Sequence, residues 1–173
     1  MRVLGIDPGT RITGYGCIDA PAEIGARPVL VEAGVVRLVK GGDPAPELPS
    51  RLSELERDTS ELIQRVQPDV IGIEAMFTNL KHPGTIITMA HARGVIMLAA
   101  HRSGAELVEL PPASVKKALA SSGGADKSQI QESVRLALGL TKAPKPRDVA
   151  DALAIAITAT RRSAMARLTG PRR

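Results

Sequence analysis

An α/β fold built on a mixed five-stranded sheet flanked by helices is what this sequence predicts, and three observations predict it. Two short apolar runs, Arg2 to Asp7 (RVLGID) and Val70 to Glu74 (VIGIE), are strand-like and each ends on an acid. Between them, Arg51 to Val66 places Leu52, Leu55, Leu62 and Val66 at helical spacing with charges in between. Such an amphipathic helix is what a crossover between parallel strands requires. Thirdly, Thr13 to Asp19 and Val29 to Val39 follow the first run with further strand patterns, which predicts an antiparallel meander.

The elements follow in order. Pro8-Gly9 turns the chain out of the first strand and into the second. Gly41 to Pro49 is rich in Gly and Pro and reads as a linker ahead of the crossover helix. VIGIE is too short and too apolar for anything but a buried strand, parallel to the first. A helix over about 85–101, a strand over 106–110, helices over 113–120 and 127–138, and a last helix over 148–165 complete the series. Strands in a meander followed by alternating helices and strands describe a sheet covered by helices.

The chain has 173 residues, 43% of them hydrophobic, which is enough for one buried core and short for two ordinary domains. Residues 1–173 are therefore expected to form one domain, with 167–173 as a flexible basic tail; the arginines from Arg161 onward read as a frayed, solvated terminus. One Phe, one Tyr and no Trp leave an aliphatic core. A single cysteine, Cys17, excludes an internal disulfide. With no charged leader, and with the most apolar stretch, Ile86 to Ala100, interrupted by His91 and Arg93, the expectation is a cytoplasmic protein without a membrane span. A net charge of +5 favours a polyanionic partner.

Asp7 and Glu74 end strands that the crossover makes parallel neighbours, so both carboxylates should emerge at one edge of the sheet, where open α/β sheets keep their sites. An acid ending a buried strand has no capping role and needs compensation. Asp148 and Asp151, three apart at the start of the last helix, share a face. Taken alone they read as ordinary acids complementing a helix N-terminus. Four clustered carboxylates repel, by ~1 kcal/mol per pair at ~4 Å even in water, and two Mg²⁺ ions would offset that charge with the hard oxygen ligands they prefer. His82, His91 and His101 have no zinc-ligand spacing, and His91 is kept only as a group that could sit behind the acids. Phe77, three residues past Glu74, is either core or a platform stacking on a base, and spacing leaves the two readings level.

These residues stand in recognisable company. GIDPGTRITGYG, VIGIEAMF, MAHARGV, SVKKALASSGGADKSQIQ and DVADALAIAI, in this order and over nearly the whole chain, resemble the RuvC family of crossover junction endodeoxyribonucleases. The resemblance implies a ribonuclease H-like fold and a homodimer. It also implies paired, symmetric, Mg²⁺-dependent hydrolysis of two opposed strands of a four-way Holliday junction in DNA recombination and repair, with Mn²⁺ as an alternative metal. It promotes Asp148 and Asp151 to join Asp7 and Glu74 as catalytic metal ligands, assigns DNA contacts to Phe77, Lys116 and Lys127, and implies a RuvA–RuvB branch-migration partner. The sequence departs from close relatives at His91, where glutamine is frequent. Two rivals remain to weigh. GIDPGT also resembles the first phosphate loop of actin-like and sugar-kinase ATPases, but nothing after Val70 repeats it as a second lobe would. A non-catalytic junction-binding protein would not need all four acids.

Overall fold

The computed structural model describes residues 1–21, 23, 26–40, 44–76, 83–119 and 127–169, the side chains at 83, 127, 168 and 169 excepted. Its five strands, β1 (Arg2–Asp7), β2 (Ile12–Asp19), β3 (Val29–Arg37), β4 (Val70–Glu74) and β5 (Glu106–Leu110), form one sheet in the order β3-β2-β1-β4-β5. The first three pair antiparallel as a meander, while β1 pairs parallel with β4 and β4 with β5. The helices are α1 (Leu48–Val66), α2 (Pro83–Ser103), α3 (Pro112–Leu119), α4 (Lys127–Leu138) and α5 (Arg147–Thr169).

Side-chain alternation along the strands separates two cores. Leu4 and Ile6 of β1, Cys17 of β2 and Ile71 and Ile73 of β4 pack with Leu55, Leu62, Ile63 and Val66 of α1 and with Ala92, Ile96, Ala99 and Ala100 of α2. On the other face Val3, Ile18 and Val70 pack with Val134 and Leu138 of α4 and with Val149, Leu153, Ile155, Ala156 and Ala159 of α5. The sheet is thus the middle layer of three. Burial raises the Cys17 thiol to about 11, so this lone cysteine behaves as a small apolar core residue.

Several boundaries differ from expectation, and three of them for a visible local reason. Helix α1 starts at Leu48 rather than Arg51 because Pro49 falls in its first turn, where no N–H is required, and Arg51 N donates to Glu47 O at 3.1 Å. Strand β3 stops at Arg37 because the amides of Leu38 and Val39 turn to Arg11 O. Helix α5 continues to Thr169, so 161–169 is not the frayed tail expected and 167–169 still belong to the helix. Its end is tied down: Ser163 Oγ, buried, donates to Glu106 at 3.0 Å, Arg161 donates to Ala118 O, and Arg167 lies 3.5 Å from Glu106. Residues 170–173 lie outside the described part.

Helix α5 approaches the sheet unusually closely, and glycines make that approach. Gly16, Gly5 and Gly72 sit in register across β2, β1 and β4, a row of three beneath α5. A Cβ on Gly5 would overlap the carbonyl oxygen of Ala152 and stand 2.5 Å from Ala156 N; one on Gly72 would be 2.8 Å from the Ala159 Cβ. Alanines 152, 156 and 159 answer the glycines from the helix side, so backbone rests nearly on backbone.

Candidate active site

The alternation that buries Val3 and Val70 beneath α5 also decides where the strand-end acids point. Residues 3, 5 and 7 of β1 share one face, as do 70, 72 and 74 of β4, so Asp7 and Glu74 project toward α5. The β1–β4 register pairs Ile6 with Ile73, which sets the two acids level at the carboxyl ends of parallel neighbours. From α5 comes Asp151. These three, with Lys116 of α3 and the apolar Pro112, Val115, Ile130 and Ile155, line a cavity of about 340 Å³.

Asp148 is placed differently. Its backbone lies on Gly14, the register partner of Asp7, where an added Cβ would overlap the Asp148 carbonyl oxygen and come within 3.0 Å of its Cβ. The fourth acid thus stands beside Asp7 over β2 but does not line the cavity of the other three. Among the described residues no three His, Cys, Asp or Glu side chains converge into a ready ligand set. The carboxylates ring a space rather than close on a point.

Among the described residues that line it, the cavity carries three acids against the single lysine Lys116. Burial holds the Glu74 carboxyl above the usual carboxylate range, the Asp151 charge pushes it further the same way, and Lys116 opposes both. Three oxygen donors about a partly buried space, with no imidazole or sulfur among them, suit a hard divalent cation. Such an ion would favour the ionised form of Glu74 that burial and Asp151 disfavour. The donor set therefore fits a magnesium-like metal.

Lys116 sits at the acids, not out on a solvated loop. Lys127 opens α4, its side chain lying outside the described part, and Phe77 lies wholly outside the described residues. His91 does not stand behind the acids: it is exposed on α2. Its neighbour Arg93 turns inward instead. Arg93 Nε donates to the Glu74 carbonyl at 3.1 Å, and its guanidinium also pairs with Glu109 of β5. The same arginine lines a second cavity, of about 230 Å³, with Asp7, Pro8, Glu74, Met76, Ile86, Met89 and Pro112. Neither Arg93 nor Gly14 was singled out by the sequence reading. The available signal was an arginine within the mainly apolar stretch Ile86 to Ala100 and a glycine inside a strand.

Carboxylates at the ends of the central parallel strands of this β3-β2-β1-β4-β5 sheet, met by acids from the helix lying across it, define a nuclease of the ribonuclease H-like class. The chain belongs to the RuvC family of crossover junction endodeoxyribonucleases: the family model described as "Crossover junction endodeoxyribonuclease RuvC" matches residues 3–159. A relative of that name from Chloroflexus aggregans is 44% identical over 164 residues, covering 91% of each chain. The structure of Thermus thermophilus RuvC superposes with a TM-score of 0.83 at 30% identity, covering 95% of this chain and 96% of that one. The T. thermophilus protein in complex with a Holliday junction substrate gives a TM-score of 0.82 at 29% identity, with the same coverage. Membership carries with it the divalent-metal dependence of this nuclease family. No described helix is long and apolar enough to cross a membrane.

Proposed function

We propose that the chain resolves four-way DNA junctions by paired, symmetric hydrolysis of phosphodiesters in opposed strands, with Asp7, Glu74, Asp148 and Asp151 as its catalytic carboxylates. The observation that carries this reading is the meeting of Asp7, Glu74 and Asp151 with Lys116 at one cavity on the rim of the sheet. These acids would hold two Mg²⁺ per subunit, with Mn²⁺ as a substitute. Bound there, the cations would activate the attacking water and neutralise charge on the leaving 3′ oxygen. Lys116 moderates the mutual repulsion of the acids and offers a cation to the scissile phosphate. Phe77 as a stacking platform and Lys127 as a phosphate contact complete the DNA-facing set. The whole chain is proposed to act as one domain in the cytoplasm, in concert with a RuvA–RuvB motor.

The test is incubation with a synthetic four-way junction. With Mg²⁺ the expected products are two symmetric nicks bearing 5′ phosphates that ligase can seal; with chelator alone the junction should persist. Junctions left intact in Mg²⁺ would sink the reading.

Junction symmetry calls for two copies of the site, and α2 offers the face for it. Ala92, Ile96, Ala99 and Ala100 bury the inner side of this helix, while its outer side exposes Ile87 (57%) and Leu98 (45%), with open space over Gly94. Residues 87, 91, 94 and 98 follow the 4-3-4 spacing of a helix-pairing seam. We infer that two chains pair through α2, the glycine allowing close approach. In sedimentation experiments the wild type should run at twice the chain mass at micromolar concentration, and Leu98→Glu at the chain mass. A monomeric wild type would remove this interface from consideration.

A further inference from the structure

Arg93, and not His91, is the α2 side chain that touches β4 where Glu74 ends it. Helix α2 lies on the face of the sheet opposite α5, and it meets the acids only at the rim, where Ile86, Met89 and Arg93 line a cavity with Asp7 and Glu74. Arg93 nevertheless reaches the catalytic strand by its backbone. Strand β1 pairs with β4 only as far as Ile6 with Ile73, so the Glu74 carbonyl stands one residue beyond that ladder. Arg93 Nε supplies its donor at 3.1 Å, while the Ala75 amide continues the pairing to Leu110 O at 2.8 Å. The end of β4 is therefore held on both edges, by β5 on one and by a side chain of α2 on the other.

The guanidinium is itself held in place. Its Nη2 pairs with Glu109, whose register partner on β4 is Ile73, immediately before Glu74. The Arg93 side chain is 14% exposed and that of Glu109 50%. A planar donor that meets a carbonyl through one nitrogen and a carboxylate through another is a geometry lysine cannot reproduce. The positive charge is matched by Glu109, and it is Lys116, not Arg93, that lowers the Glu74 carboxyl. Arg93 acts on Glu74 through its backbone.

We propose that Arg93 is a positioning residue for hydrolysis: bridging the Glu74 carbonyl and the Glu109 carboxylate, it fixes the end of β4 so that the Glu74 carboxylate faces the metal space, and it links the outer helix α2 to that geometry. The proposal rests on the reading of Glu74 as a catalytic carboxylate. A displacement of a reacting group by about 1 Å is enough to slow a step by about 10²-fold.

Arg93→Met keeps the aliphatic length and removes both bonds. Its single-turnover cleavage rate on a saturating four-way junction should fall by about 10- to 100-fold, with the Kd for the junction in chelator unchanged. Arg93→Lys should recover part of the rate, since one of the two bonds can re-form. Glu109→Gln, at a half-exposed position, should show a smaller loss of the same kind and no further loss when combined with Arg93→Met. Metal binding gives a readout without turnover: calorimetric titration of Mn²⁺ into each DNA-free variant should show weakened affinity in the order of the rate losses. Wild-type rate and Mn²⁺ affinity in Arg93→Met would overturn the proposal, as would a rate loss matched by an equal loss of junction affinity. Should Arg93→Met not fold, Arg93→Lys and Glu109→Gln decide on the same criteria. Glu74→Gln run in parallel separates the two readings: if it cleaves normally the assignment of Glu74 fails, whereas an inactive Glu74→Gln beside a normal Arg93→Met rejects the positioning role alone.

Discussion

Replacing Glu74 by Gln is expected to abolish junction cleavage while making the metal-free protein more stable at neutral pH. Glu74 faces α5 from the end of a central strand, half enclosed, with Asp151 close enough to repel it. Its carboxyl is held above the ordinary range, chiefly by burial, so the native state binds that proton more tightly than the unfolded chain does. The sign follows from linkage. The Glu74 contribution favours the metal-free fold while the group is protonated, and it is lost as pH rises from the ordinary glutamate value of ~4.3 through the raised one. Asp19, Glu32 and Glu132, hydrogen-bonded to Arg2, Arg65 and Arg135, are shifted the other way, so their contributions fade only as pH falls below the ordinary range. Gln removes the first effect and leaves the others. Loss of a carboxylate proposed to hold the metal should lower the cleavage rate by about 10³-fold or more, equivalent to ~4 kcal/mol of transition-state stabilisation. Melting in chelator and in Mg²⁺ across pH 5 to 8 checks the other half. The wild type should gain stability from the metal most strongly at the higher pH, and the variant should gain less. A Glu74→Gln protein that cuts at the wild-type rate, or that melts below the wild type in chelator at neutral pH, would contradict this account.

Gly5→Ala is the substitution expected to damage the fold most for a single added methyl. The new Cβ would meet the Ala152 carbonyl and the Ala156 amide, both backbone of α5, so no side chain can rotate away to make room. Either the helix lifts off the sheet or the strand bends. Overpacking of a well-filled core costs about 1–3 kcal/mol when side chains can adjust, and here the loss should exceed the top of that range. In a domain of this size each kcal/mol lowers Tm by about 2–4 °C, so a fall of about 10 °C is expected at matched protein concentration. Gly94→Ala, with nothing within 4 Å of its added Cβ, is the internal control for folding of the single chain. A Gly5→Ala variant within 2 °C of the wild type would mean that α5 has more freedom than its contacts imply. Because α5 carries Asp148 and Asp151, activity should fall even in the fraction that stays folded.

These two residues mark the boundary between what is written locally and what is not. The strand at Val70 to Glu74 was legible because an apolar run of five admits no other structure, and its parallel pairing with β1 followed from the crossover helix between them. That Asp7 and Glu74 emerge at one edge of the sheet followed in turn, and alternation along the strands adds that both face α5. Asp148 and Asp151 were legible as a pair on one helix face but not as partners of the other acids, since acids in a first helical turn are as well explained by the helix dipole. Helix α5 joins the strand-end acids only because the glycine row lets it lie across the sheet, and that depends on register between strands far apart in sequence.

The sequence by itself determined the α/β class, the order of the elements, the strand-end acids and, through its resemblance, the family. Periodicity and chain reversal act over a few residues, and they survive whatever the rest of the chain does. Tertiary structure alone decided that Lys116 faces the acids, that Asp148 stands over Gly14 instead of at the cavity, and that Arg93 rather than His91 supports Glu74. Each of these is a contact between elements tens of residues apart. Whether His91 or Arg93 turns inward on α2, whose apolar residues favour no single face, is settled by what each packs against, and the helix sequence carries no separate record of it.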